Sequence, residues 1–370
     1  MRKRYQQFMV DWETRLTSRD TNRVVRPFDW GLDWMHRWPG VNGNCPTDLA
    51  LVEPFLRELN QAIVRDSDSF FAYEIPRDFR LERRKVECFA TGIDKVERNA
   101  RCAARNESGQ FLRFTSAVRT PHPQNDQVNA RWFPTRSRRA VVVLPHWNAD
   151  AVAYNSLCKA LNLFGIAALR MSLPYHDIRM PAELERADYA VSANVARTID
   201  AARQAVIDVR CCLDWLQSHG YTQLGILGTS LGSCYAFLAS AHDPRLRVNA
   251  FNHASTYFAD VVWTGQSTRH IREGLEPAIA LDRLRDLWMS ISPVAYFDKF
   301  QRHPKKSLVI YAEYDLTFLP EFSRQVVENF RSHGLDHQVA VLPCGHYSTG
   351  ETPFKFLDGY HITKFLASKL

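Results

Sequence analysis

Residues 140–146 read AVVVLPH, an unbroken apolar run with no polar face. A strand of this kind has to be covered on both sides, which a sheet with one wet face does not provide. The chain then repeats the demand. Apolar spacing predicts a helix over 151–164, stopped at Gly165, and IAALRMS (166–172) reads as a second buried strand. Residues 196–218 carry a helical stripe of Ala205, Val206, Val209, Cys212, Leu213 and Leu216, ended by Gly220. LGILG (224–228) reads as a strand, 231–241 as a helix, and RVNAFNH (247–253) and SLVIYAEYD (307–315) as strands. A helix over 320–333, a strand at HQVAVLP (337–343) and a last helix near 354–369 follow. Such alternation predicts an α/β fold, a mostly parallel sheet with helices on both faces, wound in the right-handed sense. Sites in open sheets of this type form beyond the carboxyl ends of the strands.

The flanks are less regular. Residues 1–110 read as a mainly helical N-terminal extension and 111–370 as the sheet domain. In PTDLALVEPFLRELNQAIVR (46–65), Leu51, Phe55, Leu56 and Leu59 share a helical face, and Asp48 is placed to cap it. Trp30, Trp34 and Trp38 are four apart and on a helix would form one face, against the domain or against lipid, although Gly31 and Pro39 weaken that helix. Residues 81–135 read as extended and polar, with strands expected near 111–118 and 127–133. Between 253 and 307 lie far more residues than a crossover requires, and Leu281, Leu284, Leu287 and Trp288 have helical spacing. This surplus reads as a helical cap insertion over about 256–300, above the strand ends, with 174–200 adding to it.

Composition narrows the function classes. With 45% apolar residues the 370-residue chain can bury a large core in one domain with insertions. The formal charge of +7 is dispersed, with clusters at 2–4, 83–85 and 136–139 that lack interleaved aromatics. A solvated surface rather than a nucleic-acid partner is expected. Eight cysteines include no Cys-x-x-Cys pair, so a zinc ribbon or thioredoxin motif is excluded. The basic N-terminus has no apolar run of a secretory leader, and no stretch approaches a bilayer span. A soluble, cytoplasmic protein with reduced thiols is the expectation.

One turn carries chemistry. Gly228-Thr229-Ser230-Leu231-Gly232 sits where the strand 224–228 meets the helix 231–241. A serine hydroxyl is a weak nucleophile and needs a base in reach and a turn that lifts it clear of the backbone. In so tight a turn the residues two before and two after the serine approach each other, which favours glycine at both. The helix N-terminus adds free N–H groups and a favourable dipole. Two further residues fall at strand ends: Asp315 in YAEYDLTFLP, with Glu313 as a deeper rival, and His346 in VAVLPCGHYSTG.

With the elbow Gly-x-Ser-x-Gly and the chain order Ser230, Asp315, His346, residues 140–370 resemble the α/β-hydrolase superfamily. The resemblance implies that Ser230 attacks an acyl carbonyl, that His346 takes and returns the proton, and that Asp315 orients the imidazole. It implies an oxyanion hole of backbone N–H groups, from Leu231 and from either Trp147 or Asn148. Many members have His-Gly where this chain has His146-Trp147; any non-proline residue keeps the donor. Tyr175, His176, Asp177 and Arg179, together with His146 and His253, lie near strand ends as candidates for the pocket wall. No metal or organic cofactor is expected: Cys344 and His346 are too few for zinc, and no phosphate or dinucleotide loop is present. The expected activity is a serine hydrolase for a small-molecule carboxylic ester or related acyl compound. Left open are an acyltransferase with the same triad, a non-catalytic binding protein of the same fold and a lipid-acting hydrolase at a membrane surface. The oligomeric state is also open.

Overall fold

The computed structural model describes residues 2–41, 43–86 and 107–370; Cys88 and Cys102 lie outside them. The strands are β1 (Arg80–Lys85), β2 (Ser108–Thr115), β3 (Gln127–Phe133), β4 (Arg139–Leu144), β5 (Ala167–Met171), β6 (Gln223–Thr229), β7 (Leu246–Asn252), β8 (Lys306–Ala312) and β9 (His337–Leu342). They form one sheet in the order β1-β2-β3-β5-β4-β6-β7-β8-β9. From β5 through β4 to β9 every pair is parallel, while β1, β2 and β3 run antiparallel and β3 joins antiparallel to β5.

The strand period of two explains how an apolar run such as β4 is used. Val141 and Val143 point to one core, with Cys158, Leu161, Ile362 and Phe365 from the helices Asn155–Leu163 and Phe354–Lys369. Val142 and Leu144 point to the other, where the helices Val195–Ser218, Leu231–His242 and Pro320–Ser332 lie. The α/β layering read from the sequence is therefore the observed one.

The N-terminal region, read as a mainly helical extension, also contributes to the sheet. Its residues 80–85 supply β1, whose register against β2 runs from Arg80–Arg113 to Lys85–Ser108. The hairpin straddles the boundary drawn at 110. RLERRK has almost no apolar content, so it reads as solvated surface; it is a strand because its backbone completes an edge. The helix Arg2–Ser18 buries Met9 in the core beneath the strands. The helix Leu49–Arg65 buries Val52, Leu56 and Ile63 in the other core, and its Asn60 accepts a hydrogen bond from the Ser290 N–H at 3.2 Å.

The tryptophan face also differs. Only Leu32–Met35 is helical there. Trp38 is buried with its indole N–H on Asp200 at 2.9 Å, and Trp30 and Trp34 pack partly buried against the same core. The three rings pack against the core and do not form one helical stripe. In the insertion, the helices Phe258–Thr264, Arg269–Leu275 and Leu281–Leu287 are joined by short turns, and Trp288 donates to the Val195 carbonyl at 3.1 Å. No helix among the described residues is long and apolar enough to cross a membrane.

Candidate active site

Strand β6 ends at Thr229, and Ser230 turns the chain with φ 57° and ψ −121° before the helix Leu231–His242 begins. That conformation costs on the order of 1–3 kcal/mol and persists only where the surroundings enforce it. Here a buried strand and a buried helix do so. A Cβ on Gly228 would run into the Gly232 carbonyl and come within 2.7 Å of Ala236 Cβ. A Cβ on Gly232 would meet the carbonyls of Leu144 and Pro145. Both glycines are required by close approach, not by turn conformation.

The structure brings Ser230, His346 and Asp315 together. Ser230 Oγ lies 3.1 Å from His346 Nε2, and His346 Nδ1 lies 2.9 Å from Asp315 Oδ2. Because a carboxylate only accepts, Nδ1 carries the proton and Nε2 is free to accept from the serine. The other carboxylate oxygen receives the N–H groups of Thr317 and Phe318, each at 2.7 Å. Phe318 stacks on the His346 ring at 5.3 Å and 3°. Burial by itself would raise the Asp315 carboxyl, but the charge on His346 and the hydrogen bonds from two histidines hold it well below the usual range. Burial pulls His346 down, and attraction to Asp315 and Glu13 more than offsets it, leaving the imidazole above its ordinary value. Glu313, the rival acid, stays in the β8–β9 region with its N–H on the Leu342 carbonyl.

The loop after β4 that carries the candidate oxyanion donors is held by several partners. The N–H of Asn148 is engaged, donating to His176 Nε2 at 3.0 Å, and its side chain accepts from the Ala187 N–H at 2.8 Å. Of the two candidate donors in this loop, Asn148 thus has its N–H already engaged. The indole of Trp147 packs aside: it donates to the Ala187 carbonyl at 2.9 Å, stacks on His270 at 5.8 Å and lies under the Arg186 guanidinium at 5.1 Å.

Most of the expected pocket wall is instead core. Tyr175 and His176 are buried. His176 pairs through Nδ1 with the Pro174 carbonyl at 2.8 Å, and burial pushes its pKa to about 3, so it is a neutral prop under Asn148. Asp177 pairs with Arg170 at 2.7 Å and Arg179 with Asp208 at 2.8 Å, both buried. His146 Nδ1 meets the Tyr154 hydroxyl at 3.0 Å. His253 lies behind Asp315, not on a wall. Polar residues at strand ends read as pocket-lining because the sequence does not reveal which loop ends fold inward.

One participant escaped the sequence reading. Glu13, on the N-terminal helix, is fully buried against the His346 loop. It accepts from the N–H of Tyr347, from the Ser348 N–H at 3.1 Å and from the Ser348 hydroxyl at 2.9 Å. Gly345 leaves room for it, since a Cβ there would meet the Glu13 carboxylate. Burial raises the Glu13 carboxyl, and the bond from Tyr347 counters part of that. The signal was present: Met9, Glu13 and Leu16 share one helical stripe, so an acid sits on a buried face.

His253, Asp315 and His346 also bring potential ligand atoms within 4.8 Å of one another. Those atoms already satisfy each other as two donors and one acceptor, and a metal ion would have to displace both protons.

No family model and no curated protein matches the chain. Solved structures do. An acetyl xylan esterase from Thermoanaerobacterium sp. JW/SL YS485 is similar with a TM-score of 0.54 at 14% identity, over 92% of this chain and 99% of that one. An acetyl xylan esterase from Paenibacillus sp. R4 gives 0.55 at 12%, over 88% and 97%. An acylaminoacyl peptidase from Pyrococcus horikoshii gives 0.53 at 10%, over 74% of this chain and 43% of that one. At such identities the likeness is one of fold, and the fold of this chain is that of the α/β-hydrolases.

Proposed function

We propose that the chain is a serine hydrolase that cleaves a carboxylic ester or related small acyl compound through an acyl-enzyme on Ser230. The observation that carries this reading is the hydrogen-bonded series Ser230–His346–Asp315, at 3.1 and 2.9 Å, on a strained elbow. His346 takes the hydroxyl proton as Ser230 attacks, and Asp315 stabilises the imidazolium that forms. Leu231 and Trp147 supply the backbone N–H groups for the oxyanion. His346 then protonates the leaving group, and water repeats the sequence in reverse to release the acid. The acyl chemistry named for the esterases and the peptidase of like fold accords with this reading. Ser230 is only 6% exposed, which suits a reaction shielded from bulk water. The free cysteines suit a reducing compartment, and we place the protein in the cytoplasm.

A fluorophosphonate probe tests the proposal. The wild type is expected to label and to hydrolyse short-chain p-nitrophenyl esters, and Ser230→Ala to do neither. Labelling that persists in the alanine variant removes Ser230 from the role.

A further inference from the structure

At the carboxyl end of β7 the backbone enters the left-handed region at His253, with φ 54°. For a residue with a Cβ that conformation is unfavourable. The position is nevertheless held firmly. The His253 N–H donates to the Ile310 carbonyl of β8 at 2.8 Å, and its carbonyl accepts from Ser233 Oγ, on the elbow helix, at 2.9 Å. The ring so delivered is 1% exposed, and its Nδ1 lies 2.9 Å from Asp315 Oδ2. That is the same oxygen that His346 Nδ1 approaches at 2.9 Å, and the two imidazole centroids are 4.6 Å apart. The far nitrogen of His253, Nε2, is buried without a hydrogen-bond partner. A doubly protonated ring would leave a charged N–H unsatisfied there, which is costly. His253 is therefore neutral, with its one proton on Nδ1 and directed at the carboxylate. Burial and the charge on His346 also lower its affinity for a proton.

We infer that His253 is a positioning residue: its Nδ1–H holds Asp315 Oδ2 in place and draws off part of the charge that this oxygen presents to His346. The inference rests on the serine-hydrolase reading above. With two N–H groups on Oδ1 and two imidazoles on Oδ2, the carboxylate has four donors and cannot rotate without losing several at once. His253 thereby keeps His346 aimed at Ser230 and keeps it from binding its proton too tightly to return it. Other titratable groups surround the pair. Glu13 faces His346 from the N-terminal helix and favours its charged form. Cys344 and Tyr347 flank it on its own loop, Tyr347 with its hydroxyl accepting from Arg23. Asp358, on the C-terminal helix, accepts from Asn252, the neighbour of His253.

The test uses His253→Ala, which removes the donor, and His253→Asn, which places an N–H where Nδ1 stood and tolerates positive φ. The readout is kcat/KM against pH for p-nitrophenyl acetate. In the alanine variant the acid limb is expected to move up by about half to one pH unit, with kcat falling about tenfold. The asparagine variant is expected to return the limb to the wild-type position. An alanine profile that superposes on wild type, or an asparagine profile shifted as far as the alanine one, overturns the inference. Fluorophosphonate labelling separates the two levels. A wild type that does not label refutes the hydrolase reading itself; a labelling wild type with an unshifted alanine profile refutes only the role of His253. Should the alanine variant not fold, histidine-ring NMR of the wild type decides. His253 is expected to stay neutral with its proton on Nδ1 while His346 titrates; a proton on Nε2, or titration alongside His346, overturns the inference.

Discussion

Replacing Glu13 with alanine probes the join between the N-terminal helix and the His346 loop. The carboxylate accepts three hydrogen bonds, from the N–H groups of Tyr347 and Ser348 and from the Ser348 hydroxyl. All are lost in the variant. A buried donor left without a partner costs about 1–3 kcal/mol. Water entering the vacated space recovers some of this, so the lower figure per donor, about 3 kcal/mol for the set, is the expectation. At about 2 cal/mol/K of unfolding entropy per residue, this is a fall in Tm of about 4 °C for a chain this size. The functional effect is expected to exceed the thermal one. Tyr347 and Ser348 follow His346 directly, so slack in their backbone displaces the imidazole. A shift of about 1 Å costs about 100-fold in rate. Glu13→Gln retains one acceptor oxygen and is expected to fall between the two. The assay is kcat/KM for a short-chain p-nitrophenyl ester alongside scanning calorimetry. An alanine variant with wild-type Tm and wild-type kcat/KM would refute the argument that Glu13 sets the His346 loop.

Gly228→Ala is expected to abolish fluorophosphonate labelling and to destabilise the fold by about 3 kcal/mol, because its Cβ collides with the Gly232 carbonyl. Gly359→Ala, in a helix with nothing within 4 Å of the added Cβ, is expected to leave labelling intact and to raise Tm slightly; equal behaviour of the two variants in labelling and urea titration would count against the elbow argument. Because His346 lies above its ordinary value, the acid limb of kcat/KM is expected above about pH 6.5, and a limb at or below that pH contradicts the assigned surroundings. The sign for stability follows from the same shifts. The contribution of His346 is full below about pH 6.5 and is lost as pH rises through its higher folded value. That of Asp315 is present above about pH 3.9 and is lost as pH falls through its depressed value, as urea unfolding over a pH series would show.

The layered fold was legible because β4 and its successors are apolar on both faces, and only a sheet covered by helices on both sides buries such runs. The elbow was legible for a related reason: a serine between glycines, at a strand-to-helix junction, is a local pattern with a local steric cause. Asp315 and His346 could be placed because each stands at the end of a readable strand. Beyond that, local pattern fell short. The strand β1 carries charges, so nothing in RLERRK distinguishes an edge strand from a solvated loop. Trp30, Trp34 and Trp38 follow helical spacing without forming a helix of that length. That the N–H of Asn148 is taken up by His176, a residue 28 positions away, was likewise beyond local pattern.

What the chain determined by itself is therefore the α/β layering and the serine elbow at Gly228–Gly232, since both follow from apolar patterning and from close contacts between near neighbours. What tertiary structure decided is which groups surround the Ser230 hydroxyl. Glu13 reaches Tyr347 across 334 positions and His253 reaches Asp315 across 62. No periodicity records such meetings; they follow from how helices and loops stack on the sheet, and a buried polar atom is satisfied only by whatever that stacking brings within 3 Å.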